Sequence, residues 1–404
     1  MIRQTWAIFV DAYRELNARK MFWIVMLLSL ICVAVLACVG LYETKDASGK
    51  ITQRGITLLV WKFPIEIFDY INLQKATFYN LMFYTVGFKI WLTWAATILA
   101  LISTAGIIPD FITGGSIEMS LSKPIGRLRL FLTKYVAGLL FVVLQVSVFT
   151  LASFLVIGLR SGAWQPSLFI AVPLVVAFFS YLYGFLVLIG MLTRSAIASL
   201  LITICLWLAI FCLHVAEAGP LLQAKVRQDQ LILLRENDIV NTRTRLETRR
   251  TEESAQEAEP ATGDTPSTQP KASRADKSAA DIEKELADKE QRLASAKEDQ
   301  TRLNTVHSLL FATKTVLPKT SETMELLQRS LVSATELEGF IDNAPEPPRR
   351  RQNRDDLRVS EVSVQKEVSR ILRERSVGWV LGTSLLFEGC VVAIAAWLFC
   401  RRDF

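Results

Sequence analysis

Six apolar runs, each about twenty residues long, constrain this chain more than any other feature. The hydrocarbon core of a bilayer is about 30 Å thick, and a helix crossing it needs about 20 apolar residues at 1.5 Å each. Inside that core the backbone has no water to bond to, so only helices or closed barrels can span. The runs predict spans at 22–42, 86–108, 131–158, 166–191, 195–216 and 378–400. Hydrophobic residues make up 51% of the chain, and an ordinary soluble domain is less apolar. The expected fold is an all-α polytopic membrane protein with six transmembrane helices. In the last span Trp379 and Trp397 are 18 residues apart. That is roughly 27 Å of helix, which puts one ring near each interface.

Residues 1–20 precede the first span. Ile2, Trp6, Phe9, Val10, Tyr13 and Leu16 keep a three-four spacing, with Arg3, Asp11, Arg14 and Glu15 between them. This is the pattern of an amphipathic helix lying in the membrane interface, an elbow before the first span. A signal peptide would be shorter and would end in a small-residue cleavage site. Val35-Leu36-Ala37-Cys38 resembles a lipoprotein box only faintly, and five further spans argue against it.

Lys and Arg in short loops set orientation. With the N-terminus inside, the inner side collects eleven: Arg3, Arg14, Arg19, Lys20, Lys123, Arg127, Arg129, Lys134, Arg194, Arg401 and Arg402. The outer side collects seven: Lys45, Lys50, Arg54, Lys62, Lys75, Lys89 and Arg160. Both termini are therefore expected in the cytoplasm. Arg370, Arg373 and Arg375 argue the other way, but they end a long loop, and long loops are translocated largely regardless of charge.

Residues 217–377 then form an extracytoplasmic insert. Residues 216–377 hold 27 Lys/Arg and 29 Asp/Glu, so the other residues carry 18 basic and 10 acidic side chains. The net charge of +6 is thus −2 in the insert and +8 around the membrane. This distribution marks basic membrane flanks and excludes a nucleic-acid surface. Two stretches, about 220–258 and 278–313, read as long helices. Leu222, Val226, Leu233 and Val240 make a heptad stripe in the first. Ile282, Leu286, Leu293, Ala296, Leu303 and Leu310 do so in the second, interrupted by Lys289, Gln300 and His307. The segment between them, EPATGDTPSTQPKASR, has turn composition. The expected form is an antiparallel coiled-coil hairpin. After Pro318 a helix at about 321–340 carries Met324, Leu327, Leu331 and Leu337, and a last helix near 356–376 leads into the sixth span.

No motif of an enzyme is present. There is no G-x-x-x-x-G-K-[ST] loop for a nucleotide phosphate, no G-x-S-x-G, no H-E-x-x-H and no C-x-x-C. His214 and His307 are the only histidines, too few within the spans for paired haem ligands. No catalytic, cofactor-binding or metal residue is assigned. All six cysteines sit in or at the end of apolar runs. Cys205 and Cys212 share a helix face and are expected to act as small packing residues. Glu388, near the middle of the sixth span, stands out. A charge there costs roughly 2.5–3.5 kcal/mol on insertion scales, so it must face the bundle interior or a water-filled path. It is either a transport-path residue or a carboxyl packed between helices.

The segment from 107 to 135 is the one sizeable inner loop between spans. It is polar, broken by Gly114 and Gly115, stopped at Ser122-Lys123-Pro124, and basic at Lys123, Arg127, Arg129 and Lys134. A bare connector needs no such pattern, which suits a docking element. It resembles the corresponding loop of ABC-2-type transporter permeases. The resemblance rests on Asp110, Gly114, Gly115, Ile117, Glu118, Leu121-Ser122-Lys123-Pro124, Arg127 and Lys134. The elbow helix, the Leu317-Pro318 step and the C-terminal Arg401-Arg402-Asp403-Phe404 are similar too. The insert at about 220–304 departs from the family pattern. The resemblance implies a transporter half that pairs into a homodimer or with a second permease in the inner cell membrane. Separate ABC ATPase subunits would dock through Asp110, Gly114, Gly115, Glu118, Leu121, Lys123, Pro124 and Arg127. The insert would meet an extracytoplasmic protein partner, membrane lipid would surround the spans, and no nucleic acid or cofactor is implied. Two other readings remain: a membrane-anchored coiled-coil tether or sensor without transport activity, and a proton-coupled transporter using Glu388.

Overall fold

A computed structural model of the chain describes residues 20–45, 51–58, 61–64, 75–113, 126–162, 164–258, 278–331 and 359–401. Six helices are long and apolar enough to cross a membrane, so the chain is an all-α polytopic membrane protein as expected. Residues 1–19 of the elbow and 114–125 of the 107–135 loop lie outside the described residues. The latter include Gly114, Gly115, Glu118, Leu121, Lys123 and Pro124.

The described residues fall into two compact units. The first comprises residues 1–215, 312–345 and 373–404, and the second 216–311 and 346–372. In the first unit, helix α1 (Lys20–Cys38) ends four residues before its expected span does. The chain leaves the helix at Val39 and enters a three-stranded antiparallel meander: β1 (Val39–Lys45), β2 (Ile51–Leu58) and β3 (Trp61–Pro64). This sheet was not expected. Its strand formers (Val39, Leu41, Tyr42, Ile51, Ile56, Thr57) are scattered among polar residues, so no period-two pattern announces it. β1 pairs with β2 from Val39 opposite Leu58 outward, and β2 with β3 from Leu58 opposite Trp61.

The second span begins well before its expected start. It runs through α2 (Lys75–Met82), a π-helical stretch (Phe83–Ala96) and α3 (Thr97–Thr104). A short helix α4 (Ile107–Thr113) follows. Thr93 and Thr97 donate their hydroxyls to the carbonyls of Phe88 and Leu92, five residues back, as the wider π turns allow. Lys89, expected near the outer end of this span, therefore lies within it and is exposed. The start was misplaced because Thr77 and Asn80 are polar, yet the bundle buries both.

Helix α5 (Arg127–Ser161) ends at Gly162, whose φ of 72° closes the C-terminus in the left-handed region. After a short 3-10 turn (Pro166–Ile170), α6 (Ala171–Thr193) is the central helix of the unit. It packs against α5, against α10 (Thr320–Leu331) and against α12 (Val377–Arg401). Phe178, Phe179 and Tyr183 of α6 are almost fully buried. Trp207 of α7 (Ala196–Ala216) stacks on Trp94, with ring centroids 4.8 Å apart. Cys205 and Cys212, expected as packing residues, are exposed free thiols.

In the second unit, α8 (Leu222–Ala258) and α9 (Ala279–Val316) supply the two long arms. Their contacts run in opposite order: Asp229 with Gln300, Asp238 with Lys289, Arg250 with Glu283. The arms are an antiparallel helical pair. Leu222 and Val226 of the expected stripe on α8 are buried, but farther along the helix the stripe is displaced by one residue. Leu233 and Val240 are each 60% exposed, whereas Ile232 and Ile239 are each 6% exposed. Ile232, Ile239 and Leu246 form their own seven-residue repeat, which the Val226-based register overlooked. On α9 the polar residues Lys289 and Gln300 stand in the inward stripe because α8 supplies partners. Lys289 bonds Thr242 and Asp238 as well as Glu285. Burial alone would lower its pKa, but Asp238 and Glu285 outweigh that and raise it. Helix α11 (Glu361–Glu374) buries Val364 and Val368 against Leu222 and Val226.

Close helix approach in the first unit needs glycine at one site above all. A Cβ at Gly138 would overlap the hydroxyl end of the rigid Tyr183 ring. Gly138→Ala should therefore lower stability by about 1–3 kcal/mol, the usual cost of overpacking. Gly126→Ala, where nothing lies within 4 Å of the added carbon, should be near neutral. Thermal unfolding of the two variants in detergent compares them.

Candidate functional site

Pro318 stops α9, because proline cannot continue the hydrogen-bond ladder, and α10 starts two residues later. Its Met324, Leu327 and Leu331 are buried as expected, and Leu337 lies outside the described residues. The same helix also buries a carboxylate. Glu322 is 1% exposed and faces Lys314, Arg375 at 3.0 Å and His214 at 3.5 Å. The other imidazole nitrogen of His214 lies 3.4 Å from Glu325. These histidine approaches are ionic contacts, longer than a normal hydrogen bond. Burial alone would raise the pKa of Glu322. His214 and Lys314 beside it overcome that and hold the carboxyl well below the usual carboxylate range. Its stabilising contribution is therefore present above the unfolded value of about 4.3 and is lost only as pH falls toward the depressed one.

Lys319, buried beside this cage, has its ammonium on the Thr383 hydroxyl at 2.6 Å and 4.2 Å above the Trp379 ring. Its amide donates to the Ser384 hydroxyl at 2.9 Å. Burial pushes its pKa down. Arg329 donates to the carbonyls of Arg373 and Arg375. The outcome is a charged clasp joining α7, the end of α9, α10 and the start of α12. The sequence reading missed it. The signal was there in one respect: Lys319 and Glu322 flank the start of the helix that follows an apolar Leu317-Pro318 step.

Glu388 is half-buried on α12 and turns its carboxyl toward α5 and α6. Tyr135 of α5 donates to Oε1 at 2.9 Å and Ser180 of α6 approaches Oε2 at 2.7 Å. Ser180 has a single hydroxyl hydrogen and a second acceptor, the carbonyl of Ala177 at 2.8 Å. If the hydrogen goes to Ala177, the short contact to Oε2 is satisfied by a proton on the carboxyl. One hydroxyl rotation thus accommodates either protonation state. Other polar atoms have no such partners: the side-chain oxygens of Asn80, Gln145, Thr150 and Ser153 are buried without a hydrogen bond among the described residues.

At the other end of the bundle, two residues of the expected loop set are visible. Asp110 sits exposed in the first turn of α4. Arg127 begins α5 and donates to the carbonyl of Cys400 at 3.2 Å, near the end of α12. A Cβ on Gly190 of α6 would come within 3.1 Å of Pro109. The ammonium of Lys134 lies 5.4 Å from the centre of the Phe111 ring. Both flanks of the loop are thereby tied to α5, α6 and α12.

Six long apolar helices, with most of their charges near the ends and a carboxyl, Glu388, inside the sixth, define a multi-pass membrane protein. The family model for the ABC-2 family transporter protein matches residues 6–258, more than half of the chain. The chain belongs to that family and is a membrane component of an ABC-type transporter. The match continues through α8, the first long arm. No curated protein and no solved structure matches the chain significantly. Membership implies association with an ABC ATPase.

Glu322→Gln leaves Lys314 and Arg375 buried without their carboxylate. It should cost about 3–5 kcal/mol, the usual penalty for breaking a buried ion pair. Glu325, whose side chain is 31% exposed, should cost at most about 1 kcal/mol on the same change. Denaturant unfolding in detergent at neutral pH measures both, and the gap between the variants should narrow as the pH is lowered through the carboxylate range.

Proposed function

We propose that the chain is the permease subunit of an ATP-driven exporter of the inner cell membrane, powered by separate ATPase subunits that dock on the 107–135 loop. The observation that carries this reading is the tie between that loop's flanks and three spans. Pro109 is seated on Gly190 of α6, Lys134 of α5 lies over Phe111, and Arg127 holds the end of α12. A push on the loop would reach all three. The chain itself has no phosphate-binding motif, so its energy must come from a partner. Gly114, Gly115, Glu118, Leu121, Lys123 and Pro124 would form the docking surface between those anchored flanks. In this reading both termini are cytoplasmic, two permeases pair as a homodimer, and the antiparallel arms engage a protein on the far side.

Co-expression with candidate ABC ATPases and co-purification in detergent tests this. Glu118→Arg or Leu121→Asp should cut complex-dependent ATPase activity about tenfold or more, equivalent to at least 1.4 kcal/mol of coupling. A chain lacking residues 222–304 should keep the complex. ATPase coupling indifferent to the loop changes would instead favour the membrane-anchored tether, in which the arms are the working part.

Glu388 is proposed as a lining residue of the transport path. The unpaired oxygens of Asn80, Gln145, Thr150 and Ser153 support a polar route through the same bundle, since buried unpaired acceptors call for water or polar cargo. Glu388→Gln can keep both contacts by donating its amide to Ser180, so the fold should survive. Transport should fall about tenfold or more, a loss of at least 1.4 kcal/mol. Undiminished transport in reconstituted vesicles would make Glu388 a packing group.

A further inference from the structure

We propose that the paired ends of β2 and β3 in the small sheet are a lipid-contacting element, with Leu58 and Trp61 seated in the interfacial zone of the same bilayer that α1 crosses.

The register carries the argument. Helix α1 ends at Cys38, and Val39 is the first residue of β1. Val39 is thus the point at which the chain leaves the membrane. β1 pairs antiparallel with β2, and the partner of Val39 is Leu58, the last residue of β2. Leu58 in turn pairs with Trp61, the first residue of β3. Adjacent strands lie about 4.8 Å apart. Leu58 is therefore one strand spacing, and Trp61 two, from the exit of α1, whatever angle the strands make with the membrane. The chain goes out along β1 and returns along β2 to the membrane surface.

What it returns is apolar. Leu58 is 49% exposed and Trp61 is 74% exposed. The two residues between them in sequence are Leu59 and Val60. β3 is the outer strand of the sheet, so Trp61 stands on the side away from β1.

Neighbouring residues mark the same plane. Arg160, at the end of α5, donates to the carbonyl of Ala37 in the last turn of α1. Gly40, Tyr79 and Arg160 converge there, with the Tyr79 hydroxyl 3.5 Å from where a Cβ on Gly40 would lie. Trp164, four residues beyond Arg160, is 53% exposed. Trp, Tyr and Arg at one level form an interfacial belt, where an amphipathic ring has its apolar body in the chains and its N–H among the headgroups. Trp61 extends that belt onto the sheet. The lipid surface is the occupant the geometry favours over a second copy of the chain, because the paired strand ends lie at the level of a helix end, where lipid is already in contact.

The test is Trp61 emission in nanodiscs of phosphatidylcholine and phosphatidylglycerol, read as the full-length protein minus its Trp61→Phe variant. The difference spectrum should be blue-shifted. It should lose most of its intensity to lipids brominated near the headgroup end of the chain, less to lipids brominated near the chain end, and little to aqueous iodide. A red-shifted difference spectrum quenched by iodide and untouched by bromine would overturn the proposal and put the strand ends in water. Protection from both quenchers would also overturn it, by showing a protein cover such as a second copy. If Trp61→Phe purifies poorly, the Leu58→Trp, Trp61→Tyr pair places the reporter on the facing strand, and the same outcomes decide.

Discussion

Within a bilayer no water is available to a buried polar group, and this one restriction orders the structure. Backbone groups in the spans are satisfied within helices. Side chains that carry charge are moved to the ends or given partners. The ends show both solutions. Arg127 bonds a carbonyl near the C-terminus of α12, and Arg160 one near the C-terminus of α1, where the helix dipole leaves negative carbonyls unpaired. Glu322 shows the costlier solution. Its burial is tolerated because Lys314, Arg375 and His214 surround it, and those partners come from four separate stretches of chain counting its own. The clasp therefore fixes where α10 sits in the end of the bundle.

Glu388 follows the same rule in the middle of the membrane. Its two oxygens meet two hydroxyls, from α5 and α6, and the single hydrogen of Ser180 lets the site exist with or without a carboxyl proton. A site indifferent to protonation geometrically can change its charge without rebuilding its neighbours.

How much of this was legible depends on where each signal resides. The spans were legible because hydropathy is summed over about 20 residues and tolerates a misplaced end. Their limits were less so: α1 stops at Cys38 where Val39 begins a strand, and the second span starts before Thr77 and Asn80, whose burial depends on the helices around them. The two long arms were legible from composition and length, yet the stripe on α8 was read one residue late because Ile232 and Ile239, not Leu233 and Val240, face inward. Glu388 was visible as an anomaly, but nothing local names Tyr135 or Ser180 as its partners. Of the clasp, only Lys319 and Glu322 after the Leu317-Pro318 step left a trace in the sequence. Lys314 is eight residues from Glu322, Arg375 is 53 and His214 is 108 away, and only the fold brings them together. Of the loop residues that carry the family resemblance, Asp110, Arg127 and Lys134 are described; the family match itself rests on residues 6–258.

The central claim is that force from an ATPase enters through residues 107–135. Hydrogen–deuterium exchange on the purified permease–ATPase complex, with and without ATP, reads that segment directly. The account predicts that the amides of 107–135 gain protection when the ATPase is bound, and that this protection changes again on adding ATP, while the arms at 222–258 and 279–311 stay unchanged. Exchange in 107–135 that is the same with and without the ATPase, with the change confined to the arms, would contradict it.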